Sequence, residues 1–201
     1  MKITGIYLAA GNSVRMGTNK LTLKLGNKEM GKWGLEKAVY SNLDEIIIVA
    51  QNQSAWDLSG LSTKHVTTIE ITECRKGQSH SIKAGIKQAY SLNSDAVVIF
   101  LADQPFITTD MINQLIQIYK NNPTTSFVAS TFHEIVQPPV LIANHLFPNI
   151  LHLKGDQGAK QVLKEQMEQG ILVPFCDEQL FIDIDYMEEY LFWKKHLESK
   201  R

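Results

Sequence analysis

The chain has 201 residues, of which 44% are hydrophobic and 20% charged, and its formal net charge at pH 7 is -1. This near-neutral balance argues against a nucleic-acid binder that relies on a broad basic surface. No apolar run reaches the roughly 18 residues of a membrane-spanning helix, so we expect no contact with a membrane. The length suits one domain with its own core.

Two features of the sequence bear on where the protein works. The apolar residues 3–10 lead into a polar turn and lack the small-residue cleavage site of a signal peptide. Cys74 and Cys176 form no C-x-x-C pair, and we interpret both as reduced thiols. These features predict a cytoplasmic protein.

Strand and helix patterns alternate in the first half of the chain. The predicted strands are Ile3–Ala10, Glu45–Ala50, Val66–Ile71 and Asp95–Leu101. Their near-continuous apolar character is typical of strands covered on both faces. Helical spacing follows at 82–90 and at 111–119, the latter after a candidate N-cap at Thr108 or Thr109. This alternation predicts an α/β fold with a mostly parallel sheet between helices.

The second half of the chain is less regular. Its predicted strands are Ser126–Phe132, Val140–Ile142, Leu172–Cys176 and Leu180–Asp185. Helical patterns occur around residues 159–167 and 186–197. The change of rhythm after about Asn122 indicates a substrate-binding subregion attached to the same sheet.

A polar loop follows the first predicted strand and reads LAAGNSVRMGTNK over residues 8–20. It has neither the G-x-G-x-x-G pattern of dinucleotide sites nor the G-K-[ST] ending of a P-loop. Gly11 allows close approach of the backbone to a ligand, and Ser13 offers a hydroxyl. Arg15 and Lys20 supply cations for phosphate oxygens. The loop therefore predicts a phosphate site, although a plain turn with two solvated cations fits the glycine and the cations equally well.

The loop resembles the signature of the MobA-like nucleotidyltransferases, and most closely that of the molybdenum cofactor cytidylyltransferases. Further motifs extend the resemblance over nearly the whole chain: GQSHSIKAG (77–85), LADQP (101–105), GDQGA (155–159) and DID (183–185). The resemblance implies a Rossmann-like three-layer sandwich with a mixed, mainly parallel sheet. It also implies transfer of CMP from CTP to the phosphate of molybdopterin, with release of pyrophosphate, for maturation of a molybdoenzyme such as xanthine dehydrogenase.

The resemblance also divides one domain of residues 1–201 into a nucleotide-binding part, about 1–122, and an acceptor-binding part, about 123–185. The implied nucleotide-binding residues are Leu8, Ala9, Ala10, Gly11, Ser13, Arg15, Lys20, Gly77, Ser79 and Ser81. Among them Arg15 and Lys20 are implied to be catalytic, together with Asp103. Ala10 is typical of the CTP users, since the GTP-using branch tends to have glycine there. For Ser79 and Ser81, ordinary helix N-caps remain an equally good interpretation.

Carboxylates that hold Mg²⁺ are expected because triphosphate chemistry needs charge neutralisation and Mg²⁺ prefers oxygen ligands. Asp103 follows an apolar strand, where an open α/β sheet places its ligands, although a turn cap is an alternative role. The second ligand is Asp183 or Asp185, which share a face if they lie on a strand. Alignment to the family motif favours Asp185, but the next two residues depart from that motif.

The resemblance places the phosphate acceptor near Gln104, Pro139, Gly155 and Asp156. The implied partners are CTP, a molybdopterin-type cofactor and, transiently, a recipient molybdoenzyme. No G-x-S-x-G elbow is present, so we expect direct attack without a covalent intermediate. Two alternatives stay open at this point: a nucleotidyltransferase for a sugar phosphate or another phosphate acceptor, and a non-catalytic carrier of the molybdenum cofactor.

Overall fold

The computed structural model describes residues 1–11, 16–52, 56, 65–72 and 77–199. The strands in these residues are β1 (Ile3–Ala9), β2 (Lys24–Leu25), β3 (Lys28–Glu29), β4 (Glu45–Ala50), β5 (His65–Glu70), β6 (Ala96–Leu101), β7 (Phe127–Phe132), β8 (Ile135–Ala143) and β9 (Gly170–Pro174). The α-helices are α1 (Met30–Val39), α2 (Gln78–Ser91), α3 (Thr109–Asn121), α4 (Phe147–Leu151), α5 (Lys160–Lys164) and α6 (Met187–Ser199). Short 3-10 turns cover Lys20–Thr22, Asn144–Leu146, Met167–Gln169 and Glu178–Phe181.

Seven strands of the described chain form one sheet in the order β5-β4-β1-β6-β8-β7-β9. All neighbouring pairs are parallel except the two that involve β8, which runs antiparallel to β6 and β7. The predicted mixed, mainly parallel sheet is therefore confirmed. The pairing of β6 with β8 makes the sheet continuous across the two predicted parts of the chain. The division into those parts remains a prediction.

The central strands send alternate side chains into two hydrophobic cores. Tyr7 and Phe100 face the core that also contains buried residues of α1, α3 and α6. Ile6 and Ile99 face the core that contains buried residues of α2, α4 and α5. Helices therefore cover both faces of the sheet, which explains the near-continuous apolar character of β1 and β6 and confirms the three-layer sandwich.

Most predicted elements are present, with changed boundaries in the second half. The four early strands correspond to β1, β4, β5 and β6, and the last predicted helix corresponds to α6. Thr108 is the N-cap of α3, since its side chain accepts a hydrogen bond of 3.2 Å from the Met111 N–H. Val140–Ile142 is the end of the longer strand β8, which runs through two prolines. The pattern at 159–167 contains the short helix α5, followed by a 3-10 turn.

The predicted strand Leu180–Asp185 is wrong. Its start lies in the 3-10 turn Glu178–Phe181, and residues 182–185 have no regular secondary structure. Phe181 and Ile184 are nevertheless buried against the core, so the apolar run packs inward from an irregular backbone. A short apolar run of this kind cannot be distinguished from a strand by periodicity alone.

No helix among the described residues is both long and apolar enough to cross a bilayer. Cys176 is an exposed free thiol, in line with the predicted reduced state of this residue. Cys74 lies outside the described residues.

Candidate active site

A cavity of about 320 Å³ opens beside the carboxyl ends of β1 and β6, and we call it the Lys20 cavity. Its lining residues are Leu8, Ala10, Gly11, Lys20, Leu21, Gly77, Gln78, Ser81, Leu101, Ala102, Asp103 and Asp156. β1 and β6 are paired in parallel up to Leu8 and Leu101, so the segments after both strands reach the same edge of the sheet. Open α/β sheets bind their ligands at this edge. The cavity collects residues from four separate predicted motifs.

Lys20 lies between two carboxylates at this site. Its ammonium donates hydrogen bonds to Asp103 Oδ2 at 2.8 Å and to Asp185 Oδ1 at 2.6 Å. The two oxygens are therefore no more than about 5.4 Å apart, the sum of 2.8 and 2.6 Å. The Lys20 side chain is only 8% exposed. The structure thus joins Asp103 and Asp185, which lie far apart in sequence, around one cation.

A short, tightly bonded turn positions Lys20. The Asn19 side chain accepts from the Leu21 N–H at 3.1 Å, and the Thr22 hydroxyl donates to the Asn19 carbonyl at 2.9 Å. Leu21 is buried and anchors the turn to the core. The interpretation of Lys20 as a solvated loop cation is therefore wrong. Ser13 and Arg15, the other predicted phosphate ligands of the loop, lie outside the described residues.

Backbone hydrogen bonds bring Asp185 next to Asp103. The N–H of the buried residue Ile184 donates to the Asp103 carbonyl at 3.1 Å. The N–H groups of Asp185 and Tyr186 both donate to Glu189 Oε2, at 2.8 and 2.9 Å. Glu189 lies in the first turn of α6, so this contact resembles the reciprocal half of a capping box. Asp185 is held by a helix start rather than by a strand.

The electrostatic surroundings keep Lys20 charged. Burial alone lowers the pKa of its ammonium, but the attraction of Asp103 and the hydrogen bonds to Asp103 and Asp185 outweigh that effect. The net pKa of Lys20 therefore lies above its ordinary value. The cluster therefore holds a charged ammonium between two carboxyl groups.

The same two carboxylates suit a hard divalent cation. Mg²⁺ takes oxygen ligands and usually binds through one or two carboxylates, substrate phosphates and water. Within the part of the chain that the structure describes, no cluster of three or more His, Cys, Asp or Glu side chains could hold a metal alone. Asp103 and Asp185 could therefore hold Mg²⁺ only if nucleotide oxygens and water completed its coordination.

Asp183 belongs to a neighbouring cavity of about 250 Å³, which we call the Asp183 cavity. Its walls include Ile82, Pro138 and Val140. The Asp183 residue as a whole is exposed, but its carboxyl group is surrounded by protein atoms. This burial, reinforced by the negative charge of Asp103, raises the pKa of Asp183 from 3.8 to about 6. The geometry thus favours Asp185 over Asp183 as the partner of Asp103.

Asp183→Asn is expected to stabilise the metal-free protein above pH 6. The raised pKa means that the folded chain holds the Asp183 proton more tightly than the unfolded chain does. The resulting destabilisation is absent below about pH 4, grows between pH 4 and pH 6, and is complete above about pH 6. Solvent screening limits the expected gain in unfolding free energy to about 1 kcal/mol.

Urea unfolding in EDTA at about pH 4 and pH 7.5 measures this effect. Asp177→Asn is the matched control, since Asp177 is exposed and asparagine can also serve as the N-cap of the 3-10 turn Glu178–Phe181. A gain for Asp183→Asn that is equal at both pH values would contradict the role given to ionisation.

The segments around Gly77 and Gly155 are locked together. The Ser79 N–H donates to the Gly155 carbonyl at 3.1 Å. Gly77 has a φ of 87°, and a Cβ at this position would overlap with the Gly155 carbonyl group and lie 2.6 Å from Asp156 Oδ1. Gly77, rather than a serine, is the N-cap of α2, so the interpretation of Ser79 and Ser81 as N-caps is wrong.

The predicted acceptor residues do not gather in one cavity. Asp156 lines the Lys20 cavity, whereas Pro138, the neighbour of Pro139, lines the Asp183 cavity. Gln104 is 1% exposed, and within the described structure neither polar atom of its side chain has a hydrogen-bond partner. Burial and the negative charge of Asp103 raise the pKa of Asp183 by more than the nearby Gln104 amide lowers it.

Sequence reasoning missed two residues that contact the site. Gln78 lines both cavities, so it lies where the two spaces meet. The Gln51 side-chain amide donates to the carbonyls of Ala10 and Gly11, at 2.9 and 3.3 Å, and supports the start of the polar loop. Gln51 directly follows β4, the strand beside β1, and this position at a strand end was the available signal.

Comparison with known proteins assigns a family to this arrangement. Residues 5–170 match the family described as MobA-like NTP transferase domain. Purine catabolism protein PucB of Bacillus subtilis strain 168 is 34% identical over 197 residues, 94% of this chain and 94% of PucB. A probable molybdenum cofactor guanylyltransferase of Natranaerobius thermophilus is 29% identical over 114 residues, 57% of this chain and 53% of that protein.

Solved structures show the same fold. Rv0371c of Mycobacterium tuberculosis H37Rv superposes with a TM-score of 0.79 at 20% identity, covering 97% of this chain and 98% of that one. A complex of Rv0371c with manganese gives a TM-score of 0.72 at 19% identity, covering 97% of this chain and 99% of that one. At these identities the likeness supports the fold alone.

Proposed function

The chain belongs to the MobA-like NTP transferase family, as its motifs predicted, and we propose that it transfers CMP from CTP to the phosphate of molybdopterin. The observation that carries this proposal is the arrangement of Lys20, Asp103 and Asp185 at the edge of the sheet. A cation and two acids beside a cavity suit a metal-bound triphosphate. A passive cofactor carrier has no need of such a group.

The names of two relatives support a molybdopterin-type acceptor. PucB is named for purine catabolism, and the Natranaerobius relative is named as a molybdenum cofactor guanylyltransferase. The second name fits a molybdopterin-type acceptor, and the first fits a recipient enzyme in purine catabolism, for which we propose a molybdoenzyme such as xanthine dehydrogenase. The recipient enzyme is part of the proposal.

The chemistry is an in-line displacement without a covalent intermediate. An oxygen of the acceptor phosphate bonds to the α-phosphorus of CTP, and the bond from that phosphorus to the bridging α–β oxygen breaks. Pyrophosphate leaves with that oxygen and its electron pair. Lys20 and Arg15 neutralise phosphate charge that develops during transfer, while the amides after β1 position the triphosphate. Mg²⁺ held by Asp103 and Asp185 would add a Lewis acid.

Gln78 lies at the boundary between the two cavities, where the two proposed substrates would meet. The Lys20 cavity takes the nucleotide in this proposal, and the adjoining Asp183 cavity takes the acceptor. Gln78 lines both cavities, together with Leu8 and Leu101, and it is the polar residue of these three. The Asp183 cavity combines apolar residues, which suit a flat ring, with the polar residues Gln137, Lys160 and Asp183.

Ala10→Gly is expected to relax the preference for CTP over GTP by about tenfold in kcat/KM. Ala10 lines the Lys20 cavity and is 5% exposed, so removing its methyl group makes room for a larger base. A methyl group in a packed pocket typically discriminates by about 10- to 200-fold. Steady-state kinetics with both nucleotides measure the ratio. An unchanged ratio of kcat/KM for CTP to kcat/KM for GTP would mean that Ala10 does not contribute to base selection.

Pyrophosphate release tests the proposed function as a whole. The full-length protein is incubated with CTP, GTP or ATP, each with and without molybdopterin and Mg²⁺. Release is expected with CTP only when both molybdopterin and Mg²⁺ are present. Release with GTP at or above the CTP rate would place the chain with guanylyltransferases. Release with a sugar phosphate in place of molybdopterin would identify the sugar phosphate as the acceptor. If no combination of nucleotide and acceptor gave release, a non-catalytic cofactor carrier would be favoured.

A further inference from the structure

We propose that Lys20 is an internal counter-ion that keeps divalent metal away from Asp103 and Asp185 until the nucleotide arrives. The metal then enters together with the triphosphate, and Lys20 transfers from the carboxylates to the phosphate. This inference rests on the proposed function in one respect, since it takes Asp103 and Asp185 as the metal-binding carboxylates.

The geometry makes the ammonium and the metal compete for one position. Mg²⁺ bonds to oxygen at about 2.0–2.1 Å, so an ion shared by two carboxylate oxygens lies between them. The Lys20 ammonium already lies between Asp103 Oδ2 and Asp185 Oδ1, at 2.8 and 2.6 Å. Use of the other oxygen of each carboxylate would still leave the two cations within a few ångströms. Their repulsion opposes simultaneous binding.

Burial makes this counter-ion effective. The Lys20 side chain is 8% exposed, so water screens its charge poorly. The pair of acids gains a metal only if Lys20 withdraws, and withdrawal separates a buried ammonium from two carboxylates, which is costly unless new anionic partners replace them.

A bound triphosphate supplies the new partner. Lys20 lines the same cavity as Gly11 and Asp103, which is the space in which the phosphates are proposed to lie. The turn that carries Lys20 is fixed by Asn19 and by the buried residue Leu21. We therefore expect the side chain to move while the backbone of this turn stays in place.

Binding of Mn²⁺ to the nucleotide-free protein tests the inference. Electron paramagnetic resonance titrations compare the wild type with Lys20→Met, Lys20→Arg and the charge-matched control Lys87→Met, whose site is exposed on α2. Lys20→Met is expected to bind Mn²⁺ at least tenfold more tightly than the wild type. Lys20→Arg and Lys87→Met should bind as weakly as the wild type. Adding Asp185→Asn to Lys20→Met should abolish the gain.

Equal Mn²⁺ affinity of the wild type and Lys20→Met would overturn the inference. A measurement on the wild type alone covers the case in which Lys20→Met fails to fold. The solvent-shielded Lys20 ammonium should give a side-chain NMR signal that stays in place with Mg²⁺ alone and shifts with Mg²⁺ plus a non-hydrolysable CTP analogue. A full shift with Mg²⁺ alone would also overturn it.

Measurements of pyrophosphate release distinguish a failure of the proposed function from a failure of the counter-ion inference. If Asp103→Asn retained Mg²⁺-dependent pyrophosphate release, the assignment of Asp103 and Asp185 as the metal-binding carboxylates would be wrong. Loss of that release, combined with equal Mn²⁺ affinity of Lys20→Met and the wild type, would leave the proposed function intact and reject only the counter-ion.

Discussion

Asp103→Asn is expected to lose about 100- to 1000-fold in turnover while the fold is retained. The change removes one negative charge and almost no volume, and Lys20 keeps Asp185 as a hydrogen-bond partner. Loss of a preorganised group that stabilises transition-state charge typically costs about 2.7–4 kcal/mol. Asp185→Asn should have a similar effect, and Asp183→Asn a smaller one, since Asp183 lines the neighbouring cavity.

Initial rates of pyrophosphate release give the turnover, and urea unfolding of the same samples gives the stability. Asp177→Asn is the control for an Asp-to-Asn change in an exposed turn and should match the parent chain in both measurements. If Asp183→Asn lost more activity than Asp185→Asn, the assignment of Asp185 to the cluster would fail. Normal turnover of Asp103→Asn would remove the metal role of the whole cluster.

Gly77→Ala is expected to lower the unfolding free energy by about 2 kcal/mol or more and to slow turnover. Two effects add at this position. The backbone at Gly77, with φ 87° and ψ 173°, lies in a region that is essentially restricted to glycine, which costs an L-residue about 1–3 kcal/mol. The added methyl group also overlaps with the Gly155 carbonyl, which accepts the Ser79 N–H at the start of α2. The clash must push the start of α2 and the Gly155 segment apart, and this movement widens the Lys20 cavity, which both segments line.

Gly155→Ala separates these two effects. Gly155 also has a positive φ, 54°, but a Cβ there would meet nothing within 4 Å. The unfolding free energy of Gly155→Ala is expected to fall by about 1 kcal/mol. Chemical denaturation and pyrophosphate release measure both variants. Equal losses in Gly77→Ala and Gly155→Ala would mean that the steric contact contributes nothing.

The core sheet could be predicted because its strands are buried on both faces. β1, β4 and β6 read as apolar runs, and the segments after β1 and β6 carry the polar residues of the site. A helix over α1 was not predicted, since Gly31 and Gly34 weaken the helical pattern. Both glycines lie where the helix approaches other groups closely: a Cβ would lie 2.9 Å from the Trp56 ring and 3.0 Å from the Tyr7 hydroxyl.

The candidate site was predictable only in part. A polar residue after a buried strand indicated Asp103, and a glycine-containing loop with cations indicated Lys20. Burial of Lys20 between two acids could not be read from sequence, because it depends on the bond from Ile184 to Asp103 and on the capping contact of Glu189. These long-range contacts come from an irregular segment that periodicity misassigned as a strand.

The wide separation of Lys20 and Asp185 in sequence has a consequence for biosynthesis. The two residues lie 165 positions apart, and Lys20 is synthesised first. The nascent polypeptide can build the central strands early, since domains generally fold from the amino-terminal side during synthesis. Until Asp185 has left the ribosome, however, the Lys20 ammonium lacks this carboxylate partner. The charge pattern of the candidate site is therefore expected to form later than the sheet that carries it.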